Sequence, residues 1–225
     1  PLFPALRVNY AFLDGQSAFD TYQLCEDNQP DTTRNVPLPD IILSGQKKPI
    51  KRAINSSDNP RVVGLALNSL DDPRKGIELA KSLESAGLSL RLRWHPAQRD
   101  KLIQQYRSAF SDSKSVSLSD PLKESISDYL GQIRWLIAGN SSIHLEAALA
   151  GVVPVYYELS PPERPDYYGY VRTGLAKSAK TIAELLALLT GDCGPDRLNV
   201  EAVRYFSSTY LTEWDGRESE LVAEC

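Results

Sequence analysis

The sequence predicts an α/β protein with a Rossmann-like parallel sheet flanked by helices. From Arg61 onward, short apolar runs alternate with segments of helical period, which is typical of βα units that build a parallel sheet. Pro73 and Pro121 stand at predicted helix starts, and Gly87 and Gly151 follow predicted helix ends. The 225 residues, 42% of them hydrophobic, are enough for one full domain and an appended segment.

Five strands are predicted to form the sheet. Each is a short apolar run bounded by turn or helix signals. In the second strand, leucines alternate with Arg91, Arg93 and His95, so that one face is apolar and the other carries cations and an imidazole. The predicted strands are residues 61–67, 88–95, a short run near 116, 135–138 and 152–157.

The helical segments between these strands carry apolar residues at intervals of three and four. Asp72 and Pro73 open the first of them, and Asp120 with Pro121 marks a capped start for the third. The predicted helices are residues 72–86, 97–110, 121–130, 142–151, 181–189 and a last one after 199.

Residues 1–60 differ from the rest of the chain. They are rich in proline and contain two weak strand-like runs, at 6–13 and 41–43. A basic stretch at 47–52 could contact phosphates or anionic lipid, but charges in a proline-containing loop are typical of a solvated surface. We therefore predict an amino-terminal segment or linker at 1–60 and a Rossmann-like domain at 61–225.

Charge and composition restrict the class of partner. The net charge of −4 and the isoelectric point of about 5.3 exclude a general nucleic-acid binder and leave at most peripheral membrane contact. No run approaches the roughly 20 apolar residues that span a bilayer, and no signal peptide is visible, which favours a cytoplasmic location or the inner face of the plasma membrane. Cys25, Cys193 and Cys225 are far apart and odd in number, so neither a disulfide framework nor a zinc site is indicated. The oligomeric state stays open.

The strongest signal for a site is a strand that runs directly into Gly139-Asn140-Ser141-Ser142 and then into a helix. Ligands of parallel α/β sheets bind beyond the carboxyl ends of the strands, where a helix start offers unpaired N–H groups to an anion. The serine hydroxyls could bind a phosphate, and they could equally serve only as helix caps. Both uses are compatible at one position.

Glu146 follows Ser142 by four residues, so that both side chains lie on one face of the predicted helix. A carboxylate at this position can accept hydrogen bonds from the two hydroxyls of a ribose while the helix start holds the phosphate. A surface carboxylate is the alternative for Glu146. His144 points elsewhere on the helix, and we expect it to pack in the interior.

His95 ends the second predicted strand, again at the carboxyl edge of the sheet, and Pro96 fixes the chain direction after it. An imidazole there can stabilise the phosphate of a departing nucleotide. Arg74 and Lys75, beyond the first predicted strand, could meet a diphosphate, although helix capping and solvent exposure explain them as well. The sequence contains no Asp-x-Asp pair, so that a metal-bridged diphosphate site is not expected.

Taken together, Arg93-Trp94-His95-Pro96, Gly139 to Ala147 and Gly151 to Pro154 resemble the carboxy-terminal, donor-binding half of GT-B glycosyltransferases. The His-Pro and Ser-Ser motifs are most similar to those of bacterial sialyl-, polysialyl- and Kdo-transferase-like enzymes. The resemblance covers about residues 61–190. It implies that His95 lies by the donor phosphate, that Ser141 and Ser142 bind it, and that Glu146 binds the ribose.

The resemblance further implies a metal-independent glycosyltransferase that uses a CMP- or UDP-linked sugar as substrate, has no cofactor and acts on a glycan or glycolipid acceptor in surface polysaccharide synthesis. The general base of such enzymes lies in an amino-terminal Rossmann domain, for which residues 1–60 are too short. These residues would then be the remnant of an acceptor domain, and Asp14-Gly15 only weakly resembles an acid-glycine base motif. Two alternatives stay open: a UDP-GlcNAc 2-epimerase-like enzyme, which the presence of only two histidines disfavours, and a nucleotide-binding module without catalysis.

Overall fold

The computed structural model of the chain describes residues 8–27, 39–46, 50, 62–159, 164–190 and 198–225. The chain divides into two compact units, one of Pro1–Pro49 with Asn199–Cys225 and one of Ile50–Leu198. Residues 61–225 were predicted to form one domain. In the structure, residues 199–225 belong instead to the unit that contains residues 1–49. The basic residues of the 47–52 stretch, Arg61 and Cys193 lie outside the described residues.

The described residues form strands and helices that are labelled in chain order. The strands are β1 (Tyr10–Leu13), β2 (Asp40–Leu43), β3 (Val62–Ala66), β4 (Ser89–Arg93), β5 (Val116–Ser119), β6 (Trp135–Ala138), β7 (Val153–Tyr157) and β8 (Lys177–Ala179). The helices are α1 (Gln16–Asp27), α2 (Pro73–Ser85), α3 (Asp100–Ala109), α4 (Ile126–Leu130), α5 (Ile143–Leu149), α6 (Ile182–Thr190), α7 (Val200–Phe206) and α8 (Glu218–Glu224).

The larger unit contains a six-stranded sheet in the order β5-β4-β3-β6-β7-β8, and every neighbouring pair is parallel. The predicted α/β class with a parallel sheet is therefore confirmed, and the five predicted strands are all present. The sixth strand, β8, has only three residues and was not predicted. The strand order reverses between β3 and β6, so that the loops leaving these two strands diverge and open a crevice at the carboxyl edge of the sheet.

Both faces of this sheet are covered, as expected for parallel strands joined by helical crossovers. One face buries Leu65, Leu92 and Ile137 against α2, α3 and α6. The other face buries Leu136 and Ala138 against α4 and α5. Because β6 is buried on both sides along its full length, the loop that follows it is held on a rigid strand.

The helix predicted to begin at Pro121 begins instead at Ile126. Asp120 caps a separate turn, in which its carboxylate accepts a hydrogen bond from the Leu122 N–H at 3.1 Å. The helix has its own cap, since the Ser125 hydroxyl accepts from the Asp128 N–H at 3.0 Å. Asp120 and Ser125 are thus two separate capping residues, and only Asp120 was predicted to mark the start of the helix.

The smaller unit pairs β1 with β2 in parallel and packs α1 against α7. The chain passes from β1 to α1 through Gly15, and a Cβ atom at this position would lie 2.7 Å from the Tyr205 carbonyl oxygen and 2.8 Å from the Phe206 carbonyl carbon. The Tyr205 hydroxyl also donates to the Asp20 carboxylate at 2.7 Å. The glycine is therefore required by the close approach of two backbone segments.

We expect Gly15→Ala to destabilise the smaller unit by about 2 kcal/mol, because the added methyl group meets backbone atoms that cannot rotate away. Amide hydrogen exchange in α1 and α7 should become faster, while exchange in β3 and β6 should not change. Gly131→Ala is the control in the larger unit, since Gly131 has helical backbone angles, with φ of −63°, and a Cβ atom there would lie 3.3 Å from the Ser127 carbonyl oxygen, rather than 2.7 Å from a backbone oxygen as at Gly15. Unchanged exchange in α1 of the Gly15 variant would contradict the close approach.

Candidate functional site

A pocket of about 250 Å³ opens at the reversal of strand order in the larger unit. Its walls are the ends of β3 and β4 with the loops that follow them, the loop after β6, and the helices α4 and α5. The pocket brings together four residues that were selected from the sequence, His95, Ser141, Ser142 and Glu146. The other lining residues are Ala66, Leu67, Asn68, Arg93, Trp94, Pro96, Ile126 and Ile143.

The two serines lie where β6 leads into α5. Ser142 is the N-cap residue of α5, but its hydroxyl forms no capping hydrogen bond, and its backbone is itself helical with φ of −64°. Ser141 Oγ accepts a long hydrogen bond of 3.4 Å from the Ile143 N–H. Helix capping therefore accounts for Ser141 only weakly and does not account for Ser142.

Gly139 and His144 fix the shape of this loop. A Cβ atom at Gly139 would lie 3.1 Å from the Asp71 carboxylate, and the Gly139 carbonyl lies 2.9 Å from Nε2 of His144. His144 is only 1% exposed and packs against Tyr156 and Tyr170, so that the expectation of a packed histidine is confirmed. Burial lowers the pKa of His144 to about 4, and the neutral ring therefore donates to the Gly139 carbonyl.

Asn140 connects three loops through its backbone and side chain. Its amide nitrogen donates to the Arg164 carbonyl at 3.1 Å, and its amide oxygen accepts from the Tyr167 N–H at 3.0 Å. Its backbone carbonyl accepts from the Asn68 side chain at 3.1 Å. The nitrogen and the oxygen of the Asn140 side-chain amide are thus both hydrogen-bonded to the loop at 164–167.

His95 is exposed at the mouth of the pocket, directly beyond β4. Its Nδ1 accepts a hydrogen bond from the Ala97 N–H at 3.1 Å, and this contact orients the ring. Because Nδ1 is an acceptor, the proton of the neutral ring resides on Nε2. Nε2–H can donate to an anionic ligand.

Arg93 and Glu146 lie on the walls of the same pocket. Arg93 is 7% exposed, and its guanidinium donates to the Ser119 hydroxyl at 2.7 Å and to the Glu124 carbonyl at 3.0 Å. Burial lowers the pKa of Arg93, and the neighbouring carboxylates of Glu124 and Glu146 act in the opposite direction. Arg93 was not selected as a site residue, although the alternation in β4 had placed it on the polar face with His95.

Arg74 and Lys75 do not line this pocket. They lie in the first turn of α2, where Asp72 is the N-cap and accepts from the Arg74 N–H at 2.9 Å. The Arg74 side chain is 90% exposed and borders a separate surface depression along α2 with Glu78 and Lys81. The position of Arg74 and Lys75 at the capped, exposed start of α2 agrees with the alternative to diphosphate binding, which was helix capping and solvent exposure.

Tyr167, Tyr168 and Tyr170 pack mainly on one another and on their own unit. Tyr168 stacks on Tyr170 with ring centroids 5.3 Å apart, and Tyr170 meets His144 edge to face at 6.0 Å. Tyr167 remains 63% exposed beside Asn140.

Within the part of the chain that the structure describes, no group of histidine, cysteine and acidic residues is arranged to hold a metal ion. In that same part, no helix is both long and apolar enough to cross a membrane.

No known family profile and no curated protein matches the sequence. Solved structures do match the fold. A UDP-N-acetylglucosamine 2-epimerase matches with a TM-score of 0.57 at 13% identity, over 96% of this chain and 56% of that chain. The S. aureus MnaA–UDP complex matches with a TM-score of 0.56 at 13% identity, over 96% and 59%. The calicheamicin glycosyltransferase CalG4 matches with a TM-score of 0.56 at 14% identity, over 96% and 52%.

These matches show the fold, which is the Rossmann-like α/β fold of GT-B proteins. The chain spans only a little over half the length of each of these three proteins.

Proposed function

We propose that this chain is the nucleotide-sugar-binding part of a GT-B glycosyltransferase that transfers a sugar to a glycan or glycolipid acceptor. One observation carries the proposal: the pocket at the reversal of strand order brings His95 together with Ser141, Ser142 and Glu146, although about 46 residues of sequence separate His95 from the other three. Hydroxyls, an imidazole N–H and a carboxylate together suit a ligand that has both a phosphate and a ribose.

The roles follow from the hydrogen-bonding capacity of each group. Ser141 and Ser142 donate to phosphate oxygens, and His95 donates through Nε2–H. Glu146 accepts from the ribose hydroxyls. When the sugar leaves the nucleotide, negative charge develops on the phosphate, and preformed donors stabilise that charge in the transition state without a metal ion.

The size of the pocket limits what it holds. Ligand sites usually enclose about 300–1,000 Å³, and this pocket encloses about 250 Å³. It therefore suits the ribose-phosphate portion of a nucleotide sugar, with the base and the sugar at its rim. Gly139 and Asn140 shape the loop around that portion, and Arg74 and Lys75 have no part in it.

Similarity to a protein solved with UDP and to a glycosyltransferase supports a nucleotide-sugar ligand. The finer parts of the proposal come from the His-Pro and Ser-Ser motifs. They are a CMP- or UDP-linked donor, a bacterial enzyme of surface polysaccharide synthesis, and a cytoplasmic location with at most peripheral contact to the plasma membrane.

A 2-epimerase acting on a UDP-sugar is the second candidate, because the epimerase matches the fold as well as the glycosyltransferase does. The two candidates differ in their products. An epimerase interconverts two UDP-sugars without an acceptor, whereas a glycosyltransferase releases the nucleotide only when an acceptor is present. Incubation of the full-length protein with UDP-GlcNAc, followed by separation of the products, distinguishes them.

The first test is a thermal-shift titration of the chain with CMP, UDP, GDP and ADP, with and without Mg²⁺. A ligand that binds only the folded state stabilises it by about 2.7 kcal/mol at a hundredfold excess over Kd. We expect a metal-independent shift with CMP or UDP. The Ser141→Ala/Ser142→Ala double variant and the His95→Ala variant should each bind at least tenfold more weakly, since each loses hydrogen bonds to a charged group worth about 1.5 kcal/mol or more.

Arg74→Ala is the matched control, because it removes a cation of the same unit that lies outside the pocket. It should bind the nucleotide as the unmodified chain does. Absence of a shift with all four nucleotides, or equal binding by the serine variant, would contradict the proposed site.

A further inference from the structure

Arg93 is a buried cation that the proposed roles leave unused. It is 7% exposed, lies at the end of β4 and lines the pocket together with Ser141, Ser142 and Glu146. A guanidinium in such a place loses most of its hydration, and its charge is tolerated only where other groups compensate for it. Glu124 and Glu146 are the carboxylates near the Arg93 guanidinium.

The carboxylate beside Arg93 is committed to another residue. Both Glu124 carboxylate oxygens accept from Nη2 of Arg91 at 2.7 Å, and the carboxylate also accepts from the Ser119 hydroxyl and from the Gln132 amide. The nearest carboxylate oxygen of Glu124 lies 3.9 Å from the Arg93 guanidinium. The Glu124 carboxylate thus lies closer to Arg91 than to Arg93, and the Glu146 carboxylate on the pocket wall is the second anion that favours the charge of Arg93.

The guanidinium of Arg93 is nevertheless held firmly. Nη1 donates to Ser119, Nη2 donates to the Glu124 carbonyl, and the group lies 5.2 Å from the centre of the Tyr129 ring. These hydrogen bonds use two of the five N–H donors of an arginine. Among the described residues, these are the hydrogen bonds that the guanidinium forms, and Arg93 lines the pocket, so its remaining N–H groups are available to a ligand there.

We propose that Arg93 is the fixed cation that binds the phosphate of the nucleotide and that it makes this site select ligands by their phosphate charge. A planar guanidinium matches phosphate oxygens and forms charge-assisted hydrogen bonds to them. Glu146 on the same pocket repels an anion from its own side, so the ligand must present an anion to Arg93 and hydroxyls to Glu146. A nucleoside monophosphate or diphosphate meets this requirement, and this inference rests on the proposed function.

Arg91 provides a matched control. It lies on the same face of β4, contacts the same Glu124 and lies 6.0 Å from the same Tyr129 ring. It does not line the pocket and instead borders a different depression with Lys114 and Ser117. Arg91→Gln therefore disturbs the same polar network without removing the cation from the pocket.

The experiment measures affinities of the full chain for UMP, CMP, uridine and cytidine by calorimetry or competition. For the preferred base, we expect Arg93→Gln to weaken binding of the monophosphate at least tenfold and to change binding of the nucleoside less than threefold. Arg91→Gln should change nucleoside affinity less than threefold and should weaken monophosphate binding less than Arg93→Gln does, because it keeps the Arg93 cation in the pocket but frees the Glu124 charge to act on it. Arg93→Lys keeps the charge but loses the planar fork, and it should weaken monophosphate binding by threefold to tenfold.

The outcomes separate the two proposals. If the unmodified chain binds a nucleotide and a folded Arg93→Gln variant binds the monophosphate within threefold of it, Arg93 does not recognise phosphate and only this inference fails. Should Arg93→Gln not fold, the lysine variant decides, and unchanged monophosphate affinity overturns the inference. If the unmodified chain binds none of the four probes, the proposed function itself fails, and this inference fails with it.

Discussion

Replacing Glu124 by alanine is expected to lower the free energy of unfolding of the larger unit by about 3 kcal/mol. This carboxylate contacts Arg91 through two hydrogen bonds of 2.7 Å and accepts a short hydrogen bond from the Ser119 hydroxyl. Its side chain and that of Arg91 are each 18% exposed. The truncation removes the carboxylate from Arg91 and Arg93, and little water reaches these side chains. The expected loss is therefore at the lower end of the roughly 3–5 kcal/mol that is typical when one partner of a buried ion pair is removed.

Urea denaturation followed by fluorescence of the three tryptophans, Trp94, Trp135 and Trp214, measures this loss. Arg107→Gln is the control, because Arg107 pairs with Asp120 at 3.7 Å and its side chain is 46% exposed. Exposed pairs of this kind contribute about 0–1 kcal/mol. A Glu124 variant as stable as the Arg107 variant would show that solvent already screens the Arg91 and Arg93 charges.

Acidification is expected to cost the protein about 3 kcal/mol of stability between pH 6.5 and about 4 through His144 alone. Burial lowers the pKa of this imidazole from 6.5 in the unfolded chain to about 4 in the native state. Between these values the unfolded chain binds a proton that the native state does not bind, so stability falls as the pH falls. Below about pH 4 both states are protonated, and the loss from His144 stops increasing.

Other carboxylates titrate in part of this range, so the His144 contribution is obtained by difference. His144→Gln keeps an amide that can donate to the Gly139 carbonyl and removes the titrating group. The variant should lose less stability than the unmodified protein when the pH is lowered from 7 to 4.5. Equal slopes for the His144 variant and the unmodified protein would contradict the neutral buried ring.

The fold was predictable because its main signals are local. Apolar runs separated by helical segments, which begin after Asp72 or Asn199, indicate the βα order directly. The three residues of β8 are too few to show a period, and α1 has few apolar residues on which to base a helix prediction. Their positions depend on tertiary contacts.

The candidate site was only partly predictable for a similar reason. The rule that ligands bind at the carboxyl ends of parallel strands led to His95 and Ser142 without any knowledge of distances. The same rule selected Arg74, which follows β3 but does not line the pocket and borders a depression along α2 instead. Arg93 was missed because a strand sequence does not show whether a cation on its polar face is solvated or buried beneath α4.

The all-parallel order of the larger sheet also bears on how fast this unit reaches its native state. Parallel neighbours cannot be joined by a tight hairpin, and β3 must find β6 although β4, β5 and three helices lie between them in the chain. Contacts between residues so distant in sequence raise the contact order, and high contact order is associated with slow folding. Refolding of this unit should therefore proceed on a time scale of milliseconds to seconds rather than microseconds.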